Sequence, residues 1–276
     1  MKKYLDVLRS AYRINGKRFL HRPRVTGREE HADAQATTAS EQLAATGLAV
    51  IPDFWPASDC TALRTAFEAT LANGVPGTWQ DKVGSDARIF GFERYDDHAR
   101  NFLKDPWIDH IKREYYVAEP TQLAAFAMVN RVVYREGNLG SGGGWHRDAV
   151  HEQQLKAIMY LTDVEAENGA FQYLLNTHRK ASIYDTILHH GINYEQFRFT
   201  EAEIAGIVVD QGAKYPLQTV TGRAGTLILA DTSGIHRGSP IVRDRRYAIT
   251  QYLYRQPEIG GKGIPPAVRK ALENTT

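Results

Sequence analysis

From Pro120 onward the chain changes character. Short apolar, β-branched runs follow one another, separated by glycine-rich turns, and no helical pattern alternates with them. The run QLAAFAMVNRVVYR (122–135) reads as a long buried strand, and five of the next ten residues, 136–145, are glycine and read as loop. Residues 155–162 form a further strand, EAENG a turn into 170–175, and strands return at 217–221, 225–231 and 246–254. Strands joined by turns rather than by helices pair antiparallel. The expected fold is therefore mainly β with flanking helices, a jelly roll buttressed by the N-terminal half. Residues 180–216 break the strand rhythm and read as an inserted, partly helical excursion.

The N-terminal half supplies the helices. LAATGLAVIPDFW gives a helix end at Gly47, a short strand at 48–51 and a breaker at Pro52. Ser58 is placed to cap a helix through Leu71, with Cys60, Leu63, Phe67 and Leu71 inward. A helical stretch at 97–116 is interrupted at Pro106. Residues 29–40 are small and polar and read as a linker. Three parts follow: a basic arm and linker (1–40), the β domain (41–258) and a tail (259–276).

Charge is uneven. Residues 1–28 hold nine Lys/Arg against the single acid Asp6, so the rest of the chain, with 25 basic and 31 acidic residues, is net negative. Tyr4, Leu5, Leu8, Ala11 and Tyr12 recur at helical spacing, which makes this segment a basic amphipathic helix or a solvated arm packed on the domain. The first reading allows peripheral contact with anionic lipid. The single cysteine, Cys60, rules out a disulfide framework and a cysteine zinc site and fits a reducing cytoplasm. No apolar run reaches the roughly 18 residues of a membrane span, and the start lacks a signal-peptide core.

The chemistry gathers in GGGWHRDAV. GSGGGW has neither a Walker lysine nor a GxGxxG entering a helix, so a phosphate loop does not fit. In extended chain, side chains at i and i+2 point the same way, so His146 and Asp148 can offer a nitrogen and an oxygen to one ion. GTLILADTSGIHRGSP adds His236 after an apolar strand. Two histidines and one carboxylate occupy one face of an octahedral metal and leave positions open, as in non-haem Fe(II) oxygenases. Arg246 lies ten residues after His236 on a strand expected to run antiparallel to 227–230, and shares its face with the small Ala248 and Thr250. That leaves room for a guanidinium to grip a dicarboxylate. Arg245 and Arg243 read as solvated.

WHRD, YLTDVEAENGAFQYLLNTHR, GTLILADTSGIHRGS and RRYAIT together resemble the phytanoyl-CoA dioxygenase-like (PhyH) branch of Fe(II)/2-oxoglutarate-dependent oxygenases. The likeness extends more weakly to ATGLAVIPDFWPASDCTALRTAF and spans about residues 40–255. It implies a double-stranded β-helix of cupin type. It implies Fe(II) on His146, Asp148 and His236, and 2-oxoglutarate with its distal carboxylate on Arg246. O2 would be the oxidant, and the products succinate and CO2.

Asn130, Tyr134 and Tyr160 are candidate co-substrate contacts; core or strand-end roles are their ordinary readings. Related halogenases carry a small residue in place of the aspartate, so Asp148 favours hydroxylation or another oxidation over halogenation. His151 is expected to be an exposed loop residue and His178 structural, while Arg147 should point away from the metal. Trp145 either walls the pocket or anchors the loop. His189 and His190 are expected at the surface. Arg88, Phe90, Arg94 and Tyr95 are candidates for the mouth, and 180–216 for a lid.

The expected substrate is a small molecule, anionic or carrier-linked, and no nucleic acid is expected as partner. Two rival classes remain: a non-catalytic jelly-roll binder, and a cupin-like metalloenzyme that does not use 2-oxoglutarate.

Overall fold

A computed structural model of the chain describes residues 2–19, 33–116 and 123–255. The first half is helical: α1 (Lys2–Phe19), α2 (Ala34–Thr46), β1 (Leu48–Ile51), α3 (Ala57–Ala72), β2 (Thr78–Gln80), β3 (Asp86–Phe90), α4 (Asp97–Leu103) and α5 (Pro106–Tyr116). The second half is mostly strand: β4 (Leu123–Val133), β5 (Leu155–Tyr160), β6 (Phe171–Leu174), α6 (Lys180–His190), α7 (Glu201–Gln211), β7 (Leu217–Val220), β8 (Leu227–Asp231), β9 (His236–Gly238) and β10 (Arg245–Arg255). Among the described residues, one sheet runs β1-β8-β5-β10-β4-β3-β2 and a smaller one β7-β6-β9. All their pairings are antiparallel. The fold is the expected jelly roll.

Period-2 alternation sorts the large sheet into two faces. Ala127 and Val129 of β4, Ala157 and Met159 of β5, Leu229 of β8 and Ile249 of β10 join one core with Leu43, Leu63, Phe67, Phe102, Ile108 and Ile111 of the helices. The opposite face looks into a cavity, with Arg246, Ala248, Thr250 and Tyr252 of β10 facing it beside Met128, Asn130, Lys156, Ile158 and Tyr160. Helices thus stiffen the sheet from behind and leave its other face for the site.

Several expectations change. β10 does not run beside β8: it lies between β4 and β5, pairing Ala248 with both Asn130 and Tyr160. β8 pairs instead with β1 and β5. Jelly-roll connections cross between strands far apart in sequence, so chain adjacency misplaces the neighbour. Residues 34–40 are not linker but the start of α2, capped by Asp33, and Ala36 and Ala39 are buried in the core. Helix α3 begins after Pro56, whose side chain offers no cap, so Ser58 sits inside the first turn rather than at its cap. The tail 259–276 lies outside the described residues. The excursion at 180–216 contains α6 and α7, the latter closed by a capping box between Thr200 and Glu203.

Phe67 is fully buried and meets Phe92 and Tyr247 edge-on, at ring separations of 5.9 and 6.2 Å. Phe67→Ala should lower the unfolding free energy by about 3–5 kcal/mol. The shift is read from the urea midpoint at unchanged slope, and metal affinity of the folded protein should not change, because Phe67 lies behind the sheet.

Candidate metal centre

The segment carrying His146 and Asp148 is held between two others by its backbone. His146 and His236 exchange N–H···O bonds of 2.9 Å in both directions. Asp148 N–H donates to Thr232 O at 2.9 Å and Arg147 N–H to Phe197 O at 2.7 Å. The glycine loop before it is shaped for the histidine: Gly142 has φ +89°, and a Cβ there would meet His146 Cε1 at 2.4 Å.

Each imidazole is oriented by the carbonyl two residues earlier. His146 Nδ1 lies 2.8 Å from Gly144 O and His236 Nδ1 2.9 Å from Gly234 O. With Nδ1 as donor, each ring presents Nε2 as its lone-pair nitrogen. Those nitrogens sit 3.7 and 3.6 Å from the Asp148 oxygens, and the three ligand atoms lie within 4.8 Å of one another. This donor set fits a divalent metal with open positions.

Burial pushes the His236 imidazole down to about 3, an effect that nearby His146 reinforces and Asp148 opposes. His146 is lowered too, chiefly by burial. Burial works to raise the Asp148 carboxyl, but Lys156, His236 and His146 overcome it and hold the group far below the usual carboxylate range. At neutral pH the site thus offers two neutral imidazoles and one carboxylate.

Sequence reasoning missed Lys156. It is buried on β5, with Nζ 2.6 Å from Asp148 Oδ2 and 4.2 Å from the centre of the Tyr252 ring. The signal was a lone cation in an otherwise apolar strand, two residues from Ile158 on the cavity face. Asp231 was also missed. It is fully buried, takes Tyr115 Oη as donor, and accepts from Ser233 N at 3.0 Å and Ser233 Oγ at 2.6 Å. It shapes the turn that delivers His236.

The cavity beside the triad measures about 660 Å³. Arg246 is buried in its wall and donates through Nη1 to Gly169 O, while Nε, also buried, has no partner among the described residues. Gly238 allows this approach, since a Cβ there would stand 3.1 Å from Arg246 Nη1. Burial lowers the guanidinium's pKa, partly opposed by Tyr160 and Asp86. A buried cation with an idle donor is a fitting anchor for a carboxylate.

The remaining candidates divide. Asn130 is buried in the cavity wall and donates to Asp86 Oδ1 at 3.2 Å and Ser141 Oγ at 3.3 Å. Tyr160 also lines the cavity, yet its hydroxyl donates to Val220 O and accepts from Phe171 N, both at 2.8 Å. That oxygen serves the fold. Tyr134 is not brought to the site: it lies beyond the end of β4 and is 52% exposed. His151 is buried rather than exposed, its ring 6.3 Å from Tyr194.

Arg147 points away as expected, donating to Thr177 O and Ser233 O at 2.9 and 3.0 Å. Trp145 anchors the loop: it is buried against Ile192, Phe199 and Ile204, and Nε1 donates to Glu201 at 3.3 Å. His178 packs against α2, with Nε2 3.4 Å from Ala44 O. His189 is exposed and His190 half-buried. Arg88 and Phe90 line the cavity whereas Arg94 and Tyr95 do not, and the excursion contributes Phe197 and Arg198.

Protons compete with a metal for the imidazole lone pair, and both imidazole pKa values are depressed here. Co2+ affinity should therefore fall by less between pH 7.5 and 6 than the roughly tenfold that two unperturbed imidazoles would lose. Titration of the visible Co2+ bands at the two pH values measures this.

The family model described as phytanoyl-CoA dioxygenase (PhyH) matches residues 43–246. Among solved structures, the epimerase SnoN in complex with Fe3+, alpha ketoglutarate and nogalamycin RO is 17% identical, with 84% of this chain and 93% of that one covered at a TM-score of 0.58. The alpha ketoglutarate-dependent carbocyclase SnoK from nogalamycin biosynthesis is 19% identical over 86% of this chain and 95% of that one, also at 0.58. HygX from Streptomyces hygroscopicus, with nickel, 2-oxoglutarate and hygromycin B bound, is 16% identical over 79% and 87%, at 0.52. At these identities the likeness is one of fold. No curated protein matches the sequence. The chain belongs to the phytanoyl-CoA dioxygenase (PhyH) family and is a non-haem iron, 2-oxoglutarate-dependent enzyme.

Proposed function

We propose that the enzyme hydroxylates a C–H bond of a small molecule, consuming O2 and 2-oxoglutarate and releasing succinate and CO2. The observation that carries this reading is one wall of side chains: His146, Asp148 and His236 beside a cavity whose depth holds the buried Arg246. One oxygen atom of O2 enters the substrate and the other enters succinate, so the reaction balances without a further reductant. Bound iron and 2-oxoglutarate together supply the activation of O2.

The chain's own residues bind and orient. His146, Asp148 and His236 would hold the metal, with the imidazoles fixed by Gly144 O and Gly234 O. Lys156 holds Asp148 Oδ2 and so fixes the direction of the carboxylate. Arg246 would pair with the distal carboxylate of the co-substrate, in a pocket kept open by the small Ala248 and Gly238. Asn130 is the further co-substrate contact supported by its position in the wall. The aromatic and apolar side chains Phe90, Ile158, Phe171 and Tyr252 border the same space and limit water beside the reacting carbon.

Asp148 supports oxygen insertion over halogenation, because the carboxylate fills the position a halide would need. Hydroxylation also requires no separate hydrogen donor, unlike epimerisation. SnoN and HygX were solved with nogalamycin RO and hygromycin B. These complexes, with a cavity of about 660 Å³, support a substrate of multi-ring size. Lys82 and Arg198 in the lining, beyond the paired Arg88–Asp86 and Lys156–Asp148, favour one bearing negative charge.

Anaerobic addition of Fe(II) and 2-oxoglutarate should give the weak visible charge-transfer band. No band in metal-loaded protein would reject the oxygenase reading in favour of a binder or a metalloenzyme that ignores 2-oxoglutarate. His146→Ala and Asp148→Ala should each abolish succinate formation. Arg246→Ala should weaken 2-oxoglutarate binding by about 10–100-fold, the loss of a charge-assisted pair. Unchanged co-substrate affinity would remove Arg246 from its role. With substrate present, 18O2 should add one labelled oxygen to the product.

A further inference from the structure

Helix α1 is inverted relative to an ordinary surface helix. Its buried positions are polar: Asp6 and Ser10 are 6% and 0% exposed. Its large apolar side chains face outward, with Tyr4, Leu5, Leu8 and Tyr12 at 70, 48, 65 and 82% exposure. Tyr4, Leu8 and Tyr12 follow each other at i+4, and Leu5 stands beside them, so the four form one stripe. A stripe of this size left in water is unusual and marks a contact surface.

The helix is fastened to the domain by its other side. Val7 packs with Ile183 and Ile187 of α6, Lys3 Nζ donates to Leu188 O at 3.0 Å, and Arg13 pairs with Glu195. The guanidinium groups of Arg9 and Arg13 lie 6.0 and 5.3 Å from the Tyr194 ring centre. The outward direction of the stripe is therefore fixed by packing.

Charge says what covers it. Residues 1–28 carry nine cations, and their single acid, Asp6, is buried and lies 3.4 Å from Arg9. An apolar stripe bordered by Lys2, and by Arg9 and Arg13, which stay exposed although they also pair with Asp6 and Glu195, asks for a partner that is apolar and anionic at one surface. A bilayer with anionic headgroups offers both, acyl carbon beneath phosphate. The cavity rim fits the same surface: Trp79, Val83, Leu139 and Phe197 line the cavity and are 37, 46, 62 and 53% exposed. Phe197 follows Glu195 by two residues, so rim and helix share one short segment.

We propose that α1 docks on an anionic lipid bilayer, with Tyr4, Leu8 and Tyr12 entering the headgroup region and the flanking cations meeting lipid phosphates. The test uses the full chain in co-sedimentation with vesicles of phosphatidylcholine alone or mixed with phosphatidylglycerol, beside a Leu8→Glu/Tyr12→Glu variant. Both side chains are exposed, so the variant should fold, which circular dichroism checks. Partition onto the mixed vesicles should exceed that onto phosphatidylcholine by about tenfold or more, weaken with added salt, and vanish in the variant. Equal partition of the parent and the variant, or no preference for anionic vesicles, overturns the proposal. So does a concentration-dependent dimer, seen by light scattering, that the double substitution dissolves, since the stripe would then belong to a second copy. If the variant loses its helical signal, Tyr4→Glu, also at an exposed position, replaces it with the same expected and overturning results.

Discussion

The site rests on one pair of backbone hydrogen bonds, exchanged between His146 and His236 at 2.9 Å in each direction. Ninety residues of chain separate these positions in sequence, and the pair makes them neighbours in an antiparallel ladder. Once the backbones are locked, each ring needs only its own carbonyl two residues back to set its direction. Side chains of Asp231 and Arg147 both hold Ser233, in the turn that leads into His236. Removing any of these would move a ligand without touching it.

Around this pair the fold gathers charge in opposed couples. Lys156 faces Asp148 and Arg88 faces Asp86, each a buried ion with its counter-ion. Arg246 differs, because its buried guanidinium donates to a carbonyl, has no carboxylate at ion-pair distance among the described residues, and keeps one nitrogen unmatched. Burying such a cation is unfavourable, a penalty that a carboxylate bound beside it would relieve. β3, β4, β5 and β10 supply alternate residues to this wall, so the same alternation that fills the core behind the sheet also spaces the polar groups of the site.

That His146, Asp148 and His236 come together was legible because their signal is local or ordered along the chain. His146 and Asp148 sit at i and i+2 in extended chain, and His236 and Arg246 follow in the order the family pattern requires. The alternation in 246–252 likewise gave the correct face for Arg246. Strand neighbours were not legible, since the position of β10 between β4 and β5 depends on crossovers that leave no local mark. Lys156 and Asp231 were hidden for a related reason: their partners are distant in sequence, and a polar residue in an apolar strand does not say what it meets. Tyr134 failed because face alternation says nothing about where a strand ends. The outward face of α1 was the hardest to read, because an amphipathic pattern normally predicts the opposite orientation.

That orientation has a kinetic side. Tyr194 and Glu195 tie α1 to the short segment that carries Phe197 to the cavity mouth. A helix resting on a bilayer confines the enzyme to a plane. A substrate anchored in the same plane would then be found by lateral diffusion, at a surface density rather than a bulk concentration. Under that geometry the rate of encounter depends on membrane area as much as on the amount of enzyme.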